Sequence, residues 1–333
     1  VKNTKGNTMR YFKLLPLALL AAATMSSCSS NEEPPAPEPP VPGEPVEMTF
    51  VAKLFDTSTR AEATDAQSID KLRYAVYDSK GTYIFGSEEE DSPVAGLGND
   101  GKFYLTLQLV TNEKYKIAFW AQNSGVTAYT FSEDKKSINV DYGKMPFNSQ
   151  EGDAFYNFIN DVTPGATTRQ ISLSRPLAQV NVGVTNTLTD EQQLAKLKTL
   201  TSTVTLTDIP TSINLQTGEV SAPSAVNYSA TIGELLTLEY PYTAANAKYI
   251  ALGYVLATRA FPTVIVVGDG DATGTNLLST ITIGLDGKTF NMNNVPLCSN
   301  KRTNIYGAFL QVDESGNVSI DPSKGGGTKI EIK

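Results

Sequence analysis

The stretch Met48-Thr-Phe-Val-Ala-Lys-Leu-Phe55 decides how this chain of 333 residues is interpreted. Met48, Phe50 and Ala52 share one parity, and near-alternation of this kind predicts a half-buried β-strand. No hairpin partner follows it directly. The next segment, Asp56-Thr-Ser-Thr-Arg60-Ala-Glu-Ala-Thr64, is polar and carries one basic residue. The stretch is therefore either an ordinary first strand before a long loop, or a strand that a protease can cut away from the domain it completes.

The composition of the chain excludes several classes of function. There is no histidine, so Ser-His-Asp and Cys-His catalytic sites and imidazole zinc sites are excluded. The net charge of −8 argues against nucleic-acid binding, which needs basic grooves. The 15 tyrosines, with many Thr and Val and frequent Gly, Asn and Asp turns, favour β-structure. The sequence has no paired acidic motif of the kind that a carboxylate-based hydrolase uses. We therefore predict a protein that is not an enzyme and has no cofactor.

The N-terminal part of the chain reads as a secretory signal. Arg10 and Lys13 precede an apolar run, Leu14–Ala23, that is too short to cross a bilayer as a stable helix. Cys28 follows small residues just after this run and resembles a bacterial lipoprotein processing site. We predict a lipoprotein-type signal peptide over residues 1–27, cleavage before Cys28, and lipid on the Cys28 sulfur. The alternative is a plain signal peptide with an incidental cysteine.

The remainder divides into a tether and two β-rich halves. Residues 28–46 are rich in Pro and Glu and predict an extended linker. Strand and turn signals then repeat to the end of the chain, and the stretch Ile171–Val182 crosses the predicted domain junction. One short helix is predicted from Thr189 to Leu200, where Thr189-Asp-Glu-Gln192 has the spacing of a capping box. Cys298 is expected to be buried and unpaired.

The last residues predict a second loosely tied strand. Thr328, Ile330 and Ile332 share one parity, and they follow the three glycines Gly325–Gly327, which we interpret as a hinge. A strand of this kind at each end of a chain suits exchange of strands between molecules. We therefore treat the last strand as a candidate donor strand.

Two longer motifs carry a family resemblance. They are Leu173-Ser-Arg-Pro-Leu-Ala-Gln179 and Asn294-Val-Pro-Leu-Cys-Ser-Asn-Lys-Arg-Thr-Asn-Ile-Tyr-Gly307. Together with the lipoprotein start and the Arg60-Ala61 pair, they resemble the fimbrillin-type subunits of bacterial fimbriae (type V pili). The resemblance covers residues 9–320, and the motif that ends at Gly307 is its most specific part.

The resemblance implies two tandem transthyretin-like β-sandwich domains, here residues 47–172 and 173–333. It implies export as an outer-membrane lipoprotein precursor that is held by the lipid on Cys28. It also implies a cut between Arg60 and Ala61 by an arginine-specific surface protease, followed by incorporation into a fimbrium at the cell surface. The cut would release the first strand and open a groove, which a strand from the next subunit fills. The residues of this exchanged strand are Met48, Phe50, Ala52 and Phe55.

The sequence thus predicts a structural or accessory subunit of fimbriae that is used in adhesion. Its partners would be other fimbrial subunits, the protease, and a ligand on a host or bacterial surface. The alternative is a monomeric surface lipoprotein that binds glycan through exposed aromatic side chains. Glycan binding predicts an aromatic platform on one face and no processing at Arg60, whereas the fimbrial function predicts a removable strand.

Overall fold

The structure is a computed structural model that describes residues 43–54, 68–185, 191–221, 223–233, 248–257, 266–267, 272–273, 278–308, 310–321 and 329–332. In these ranges the regular structure is almost entirely β, with one α-helix. The predicted all-β class with a short helix is therefore confirmed. The transthyretin-like type and the domain boundaries stay predictions. Within the same ranges, no helix is long and apolar enough to span a membrane.

Ten strands make up the first half of the described chain. They are β1 (Pro45–Leu54), β2 (Lys71–Asp78), β3 (Tyr83–Gly86), β4 (Gly96–Leu97), β5 (Phe103–Val110), β6 (Tyr115–Gln122), β7 (Tyr129–Phe131), β8 (Ser137–Val140), β9 (Ala154–Val162) and β10 (Thr168–Leu173). β1 begins inside the segment that we assigned to the tether.

The second half holds the helix and the other described strands. They are β11 (Leu177–Val184), α1 (Glu191–Thr199), β12 (Thr201–Pro210), β13 (Ser212–Asn214), β14 (Pro223–Thr231), β15 (Lys248–Leu256), β16 (Val266–Val267), β17 (Ala272–Thr273), β18 (Leu278–Leu285), β19 (Lys288–Pro296), β20 (Lys301–Gly307), β21 (Leu310–Val312), β22 (Val318–Ile320) and β23 (Lys329–Ile332). The helix lies within the predicted residues 189–200.

The first sandwich is built from two four-stranded sheets, in the orders β10-β1-β5-β4 and β3-β2-β6-β9. Their facing side chains form one hydrophobic core. β5 shows why the sequence folds this way, because its residues alternate strictly between buried and exposed from Phe103 to Leu109. Such alternation is typical of an antiparallel strand with one face on a core and one in solvent.

The second sandwich repeats most of this topology, but its fourth strand β23 lies beside β20, whereas β4 lies beside β5. Its sheets have the orders β15-β11-β20-β23 and β14-β12-β18-β19. β11 is antiparallel to β15 and parallel to β20, as β1 is antiparallel to β5 and parallel to β10. β18 and β19 are joined at Asp286 and Gly287, whose φ angles of 49° and 77° fit a tight hairpin turn with both central residues left-handed.

The two halves are also connected to each other. β8 of the first half pairs with β13 of the second. Trp120 and Tyr156 belong to strands of the first sandwich, yet they pack into the second core. The stretch Ile171–Val182, where we placed the domain junction, contains the end of β10 and most of β11, which lie in different sheets and are separated by Ser174–Pro176. Pro176 has no N–H to donate to a ladder, which favours a break there.

Candidate functional site

The first strand occupies the interior of its sheet. Met48, Phe50 and Ala52 are 4%, 0% and 0% exposed, so the alternation predicted from the sequence is present in the structure. The Phe50 ring packs against that of Phe119 on β6, with ring centroids 5.6 Å apart. β1 therefore supplies the central side chains that join the two sheets of the first sandwich.

β1 has a partner strand on each side. It is antiparallel to β5 from Pro45 opposite Val110 to Ala52 opposite Phe103, and parallel to β10 from Thr49 opposite Thr168 to Leu54 opposite Leu173. A strand held by two ladders leaves a gap with two unpaired edges when it is removed. We call this gap, between β5 and β10, the β1 groove.

Two further side chains of β1, which the sequence analysis missed, are also buried or partly buried in the structure. Leu54 continues the parity of Met48 and packs against the first core, and this parity was the signal that could have identified it. Val51 is on the opposite face but is also buried. Beside it, the Thr49 and Thr106 hydroxyl oxygens are 3.0 Å apart, so part of the outer face is ordered as well.

Several predicted site residues lie outside the described residues. They are the lipidation residue Cys28, the processing residues Arg60 and Ala61, the strand residue Phe55 and the donor-strand residue Thr328. Their roles stay predictions.

The candidate donor strand has a place in the second sandwich. β23 pairs antiparallel with β20, and it is the edge strand of its sheet. Ile330 lies opposite Ile305 and is 2% exposed, while the Ile332 backbone lies opposite Thr303. Thus β1 and β23 of one chain lie in different sheets, and β23 must leave β20 before it can act on another copy.

The motif Leu173–Gln179 contains a buried ion pair. The Arg175 Nε and Nη2 atoms donate to the two Asp153 carboxylate oxygens at 2.7 and 2.5 Å, and the guanidinium lies over the Phe155 ring. Both charged side chains are almost fully buried. Asp153 precedes β9 directly, and Arg175 lies between β10 and β11, so the pair joins the two ends of the β9–β10 segment. The sequence analysis missed Asp153.

The described residues offer little that would bind a metal or a glycan. They contain no group of three or more His, Cys, Asp or Glu side chains that could hold a metal. Of their aromatic side chains, Tyr104 alone counts as exposed, at 44%. Its hydroxyl donates to Asp100. One exposed ring is not the aromatic platform that glycan binding predicts.

Cys298 should react slowly with thiol reagents in the folded chain. It is 2% exposed, and burial raises the pKa of its thiol, which lowers the fraction of reactive thiolate at neutral pH. We expect labelling with a bulky maleimide to be at least about 100-fold slower in native buffer than in denaturant. Mass spectrometry of a Cys28→Ser chain, which leaves one cysteine, would measure this. Equal rates in the two solvents would contradict the buried position.

Comparison with solved structures finds fimbrial proteins and candidate adhesion proteins. The fimbrial anchor protein Mfa2 from Porphyromonas gingivalis is 11% identical, with 86% of this chain and 97% of that chain covered and a TM-score of 0.42. A fimbrial assembly protein from Parabacteroides distasonis is 14% identical, with 84% of this chain and 99% of that chain covered and a TM-score of 0.38. A candidate cell adhesion protein from Bacteroides ovatus is 14% identical, with 87% of this chain and 97% of that chain covered and a TM-score of 0.43.

The comparison with curated proteins finds no match. A family model described as a family of unknown function, DUF6562, matches residues 41–328. This match begins just before β1 and takes in both sandwiches. The chain therefore belongs to the DUF6562 family.

Proposed function

We propose that this chain is a subunit of cell-surface fimbriae that assembles by exchange of its first strand. The observation that carries the proposal is the position of β1, which is central in its sheet and supplies Met48, Phe50 and Ala52 to the first core. In this proposal the chain has a structural rather than an enzymatic role. Its partners are other fimbrial subunits, and the assembled fimbrium binds a host or bacterial surface ligand.

The energetics of the β1 groove favour refilling it. Each main-chain hydrogen bond that an incoming strand restores contributes about 0.5–1.5 kcal/mol net. Each large apolar side chain that it buries contributes about 1.5–3 kcal/mol. A chain that keeps β1 has no such vacancy, so it stays soluble and monomeric. Loss of β1 therefore converts a satisfied fold into one that binds a strand from another molecule.

The candidate donor is the strand that contains Thr328, Ile330 and Ile332. Among the described strands, its described part, β23, forms a backbone ladder with β20 alone. A strand with one ladder is easier to detach than a strand with two, because fewer main-chain hydrogen bonds are lost. Its transfer to a neighbouring copy would exchange an edge position for a central one.

Export and processing complete the proposed sequence of events. Lipid on Cys28 holds the precursor at the outer membrane, and an arginine-specific surface protease cuts between Arg60 and Ala61. The lipid and β1 are both on the N-terminal side of this bond. One cut thus releases the subunit from its anchor and opens the β1 groove, which keeps subunits from polymerising before they reach the surface.

Replacing Arg60 with alanine should abolish assembly. Treatment of the wild-type chain with an arginine-specific protease is expected to give a trimmed product that begins at Ala61 and forms fibres. The Arg60→Ala chain should stay uncut at this bond and remain monomeric, because β1 stays in its groove. N-terminal mass spectrometry reads the cut, and electron microscopy with light scattering reads the assembly.

Arg259→Ala is the matched control, since Thr258-Arg-Ala260 repeats the tripeptide around Arg60. This variant should be cut at Arg60 and assemble like the wild type. Fibres of Arg60→Ala that form as readily as those of wild type would rule out strand exchange. If no variant assembles under any condition, a solitary surface lipoprotein becomes the better interpretation.

A further inference from the structure

β10 depends on β1 for its place in the sheet. It is the edge strand of the order β10-β1-β5-β4, and among the described strands β1 is the one it pairs with along its length. When β1 leaves, as the proposed function requires, β10 loses this whole ladder. One wall of the β1 groove would then have no strand beside it.

The backbone of β10 alternates between its two sides. The Thr49 N–H donates to the Thr167 carbonyl oxygen at 3.2 Å, so the odd-numbered residues of β10 turn their N–H and C=O groups towards β1. The even-numbered residues turn theirs away. On this outer side the Asn157 side-chain amide, from β9, donates to the Ser172 carbonyl oxygen. This bond does not involve β1.

Further contacts join β9 to the two ends of β10. Tyr156 and Ser174 exchange two backbone hydrogen bonds of 2.9 Å each. At the other end the Arg169 guanidinium donates to the Asp161 carbonyl oxygen at 2.9 Å. The buried pair between Arg175 and Asp153 lies just beyond the first of these ends. We call these contacts, together with the Asn157 bond, the β10 clamp.

The β10 clamp is anchored on β9, a strand that does not pair with β1. β9 pairs antiparallel with β6, from Val162 opposite Tyr115 to Ala154 opposite Gln122. This ladder belongs to the other sheet of the first sandwich. Removing β1 therefore breaks no backbone bond between β9 and β6, and every contact of the β10 clamp is made by residues outside β1.

We propose that the β10 clamp keeps β10 in position after β1 has left, and so preserves a groove one strand wide for the incoming strand. This inference rests on the proposed function. With neighbouring strands about 4.8 Å apart, the gap from β5 to β10 is about 10 Å, and a strand can pair with both walls only if that width is kept. Asn157 and Arg169 act as positioning residues, since they hold one wall and do not enter the groove.

The test compares a clamp variant, Asn157→Ala with Arg169→Met, with the control Asn291→Ala. Asn291 is a strand asparagine of the second sandwich that accepts one side-chain bond, from Thr282. Each is made in the full chain with a sequence-specific protease site in place of residues 57–62. After the cut, the segment that carries β1 is separated by size exclusion in mild denaturant. Hydrogen exchange of the Ser174 amide, which donates to the Tyr156 carbonyl oxygen, is then followed by mass spectrometry with fragmentation.

In the cut control we expect the Ser174 amide to stay protected, because its N–H donates to the Tyr156 carbonyl oxygen and this bond does not involve β1. In the cut clamp variant we expect this amide to exchange at least about tenfold faster, because β10 then opens locally. Before the cut, the two proteins should differ by no more than about twofold, since the β1 ladder holds β10 in both. If the two clamp side chains only contributed to general stability, their replacement would raise the exchange rate by the same factor in the uncut and the cut protein.

Binding of a labelled peptide with the sequence of residues 45–54, Pro-Val-Glu-Met-Thr-Phe-Val-Ala-Lys-Leu, gives a second readout. The cut control should bind this peptide about tenfold more tightly than the cut clamp variant, because its groove is already formed. Equal exchange of the Ser174 amide in the two cut proteins, fast or slow, would overturn the clamp. If exchange differs as expected but neither protein binds the peptide, the proposed function of strand exchange is rejected. The role of the clamp in holding β10 is then still supported.

Discussion

Replacing Phe50 with alanine should lower the free energy of unfolding of the uncut chain by about 3–5 kcal/mol. The side chain is fully buried, and its ring lies against that of Phe119, so truncation leaves a cavity between the two sheets of the first sandwich. Trp120 is the one tryptophan of the chain and lies next to Phe119, on the same strand. Its fluorescence in a urea titration would measure the loss.

The same substitution should have no effect on the cut protein, because Phe50 is removed with the N-terminal segment. Phe103→Ala is the matched control. Phe103 is equally buried, in β5, which stays in the chain after the cut. It should therefore weaken the uncut and the cut protein alike. A Phe50→Ala chain that remains weaker after the cut would show that β1 had not left its groove.

Replacing Asp153 with alanine should also cost about 3–5 kcal/mol, because it leaves the Arg175 charge buried without its counter-ion. Both side chains lie away from solvent, and the two bonds between them are short. The variant should unfold at lower urea concentration than wild type in both the uncut and the cut protein, which separates it from Phe50→Ala.

The double variant Asp153→Leu with Arg175→Met tests the cause of this loss. With both charges gone, no ion is left unpaired, and similar apolar volume fills the site. Replacement of a buried ion pair by apolar residues is often neutral or stabilising. We therefore expect the double variant to be more stable than Asp153→Ala. If it is weaker than the single variant, the lost stability comes from packing rather than from the unpaired charge.

The sequence predicted those parts of the fold that depend on local patterns. The alternation of Met48, Phe50 and Ala52 predicts both the strand and its buried face, and the capping box at Thr189 places the helix to within two residues of its observed start. In both cases the side chains that decide the structure are neighbours in the chain, so periodicity alone identifies them.

The sequence did not predict contacts between distant segments. Asp153 has no periodic signal that would link it to Arg175, and Asn157 resembles any other strand asparagine until its amide is seen beside Ser172. Likewise, nothing local indicates that β10 is parallel to β1 or that β8 pairs with β13. Such pairings depend on how the whole chain packs, which short-range propensity does not determine.

The parallel pairing of β1 with β10 also constrains when the fold can be completed. Among the described strands β1 is the first to be synthesised, whereas β10 is the last strand of the first sandwich. Contacts between such distant segments form slowly, because the intervening chain must first be ordered. During synthesis β1 therefore cannot complete its parallel ladder until the whole first sandwich has been made. Until then the edge of β1 that later pairs with β10 has no strand beside it.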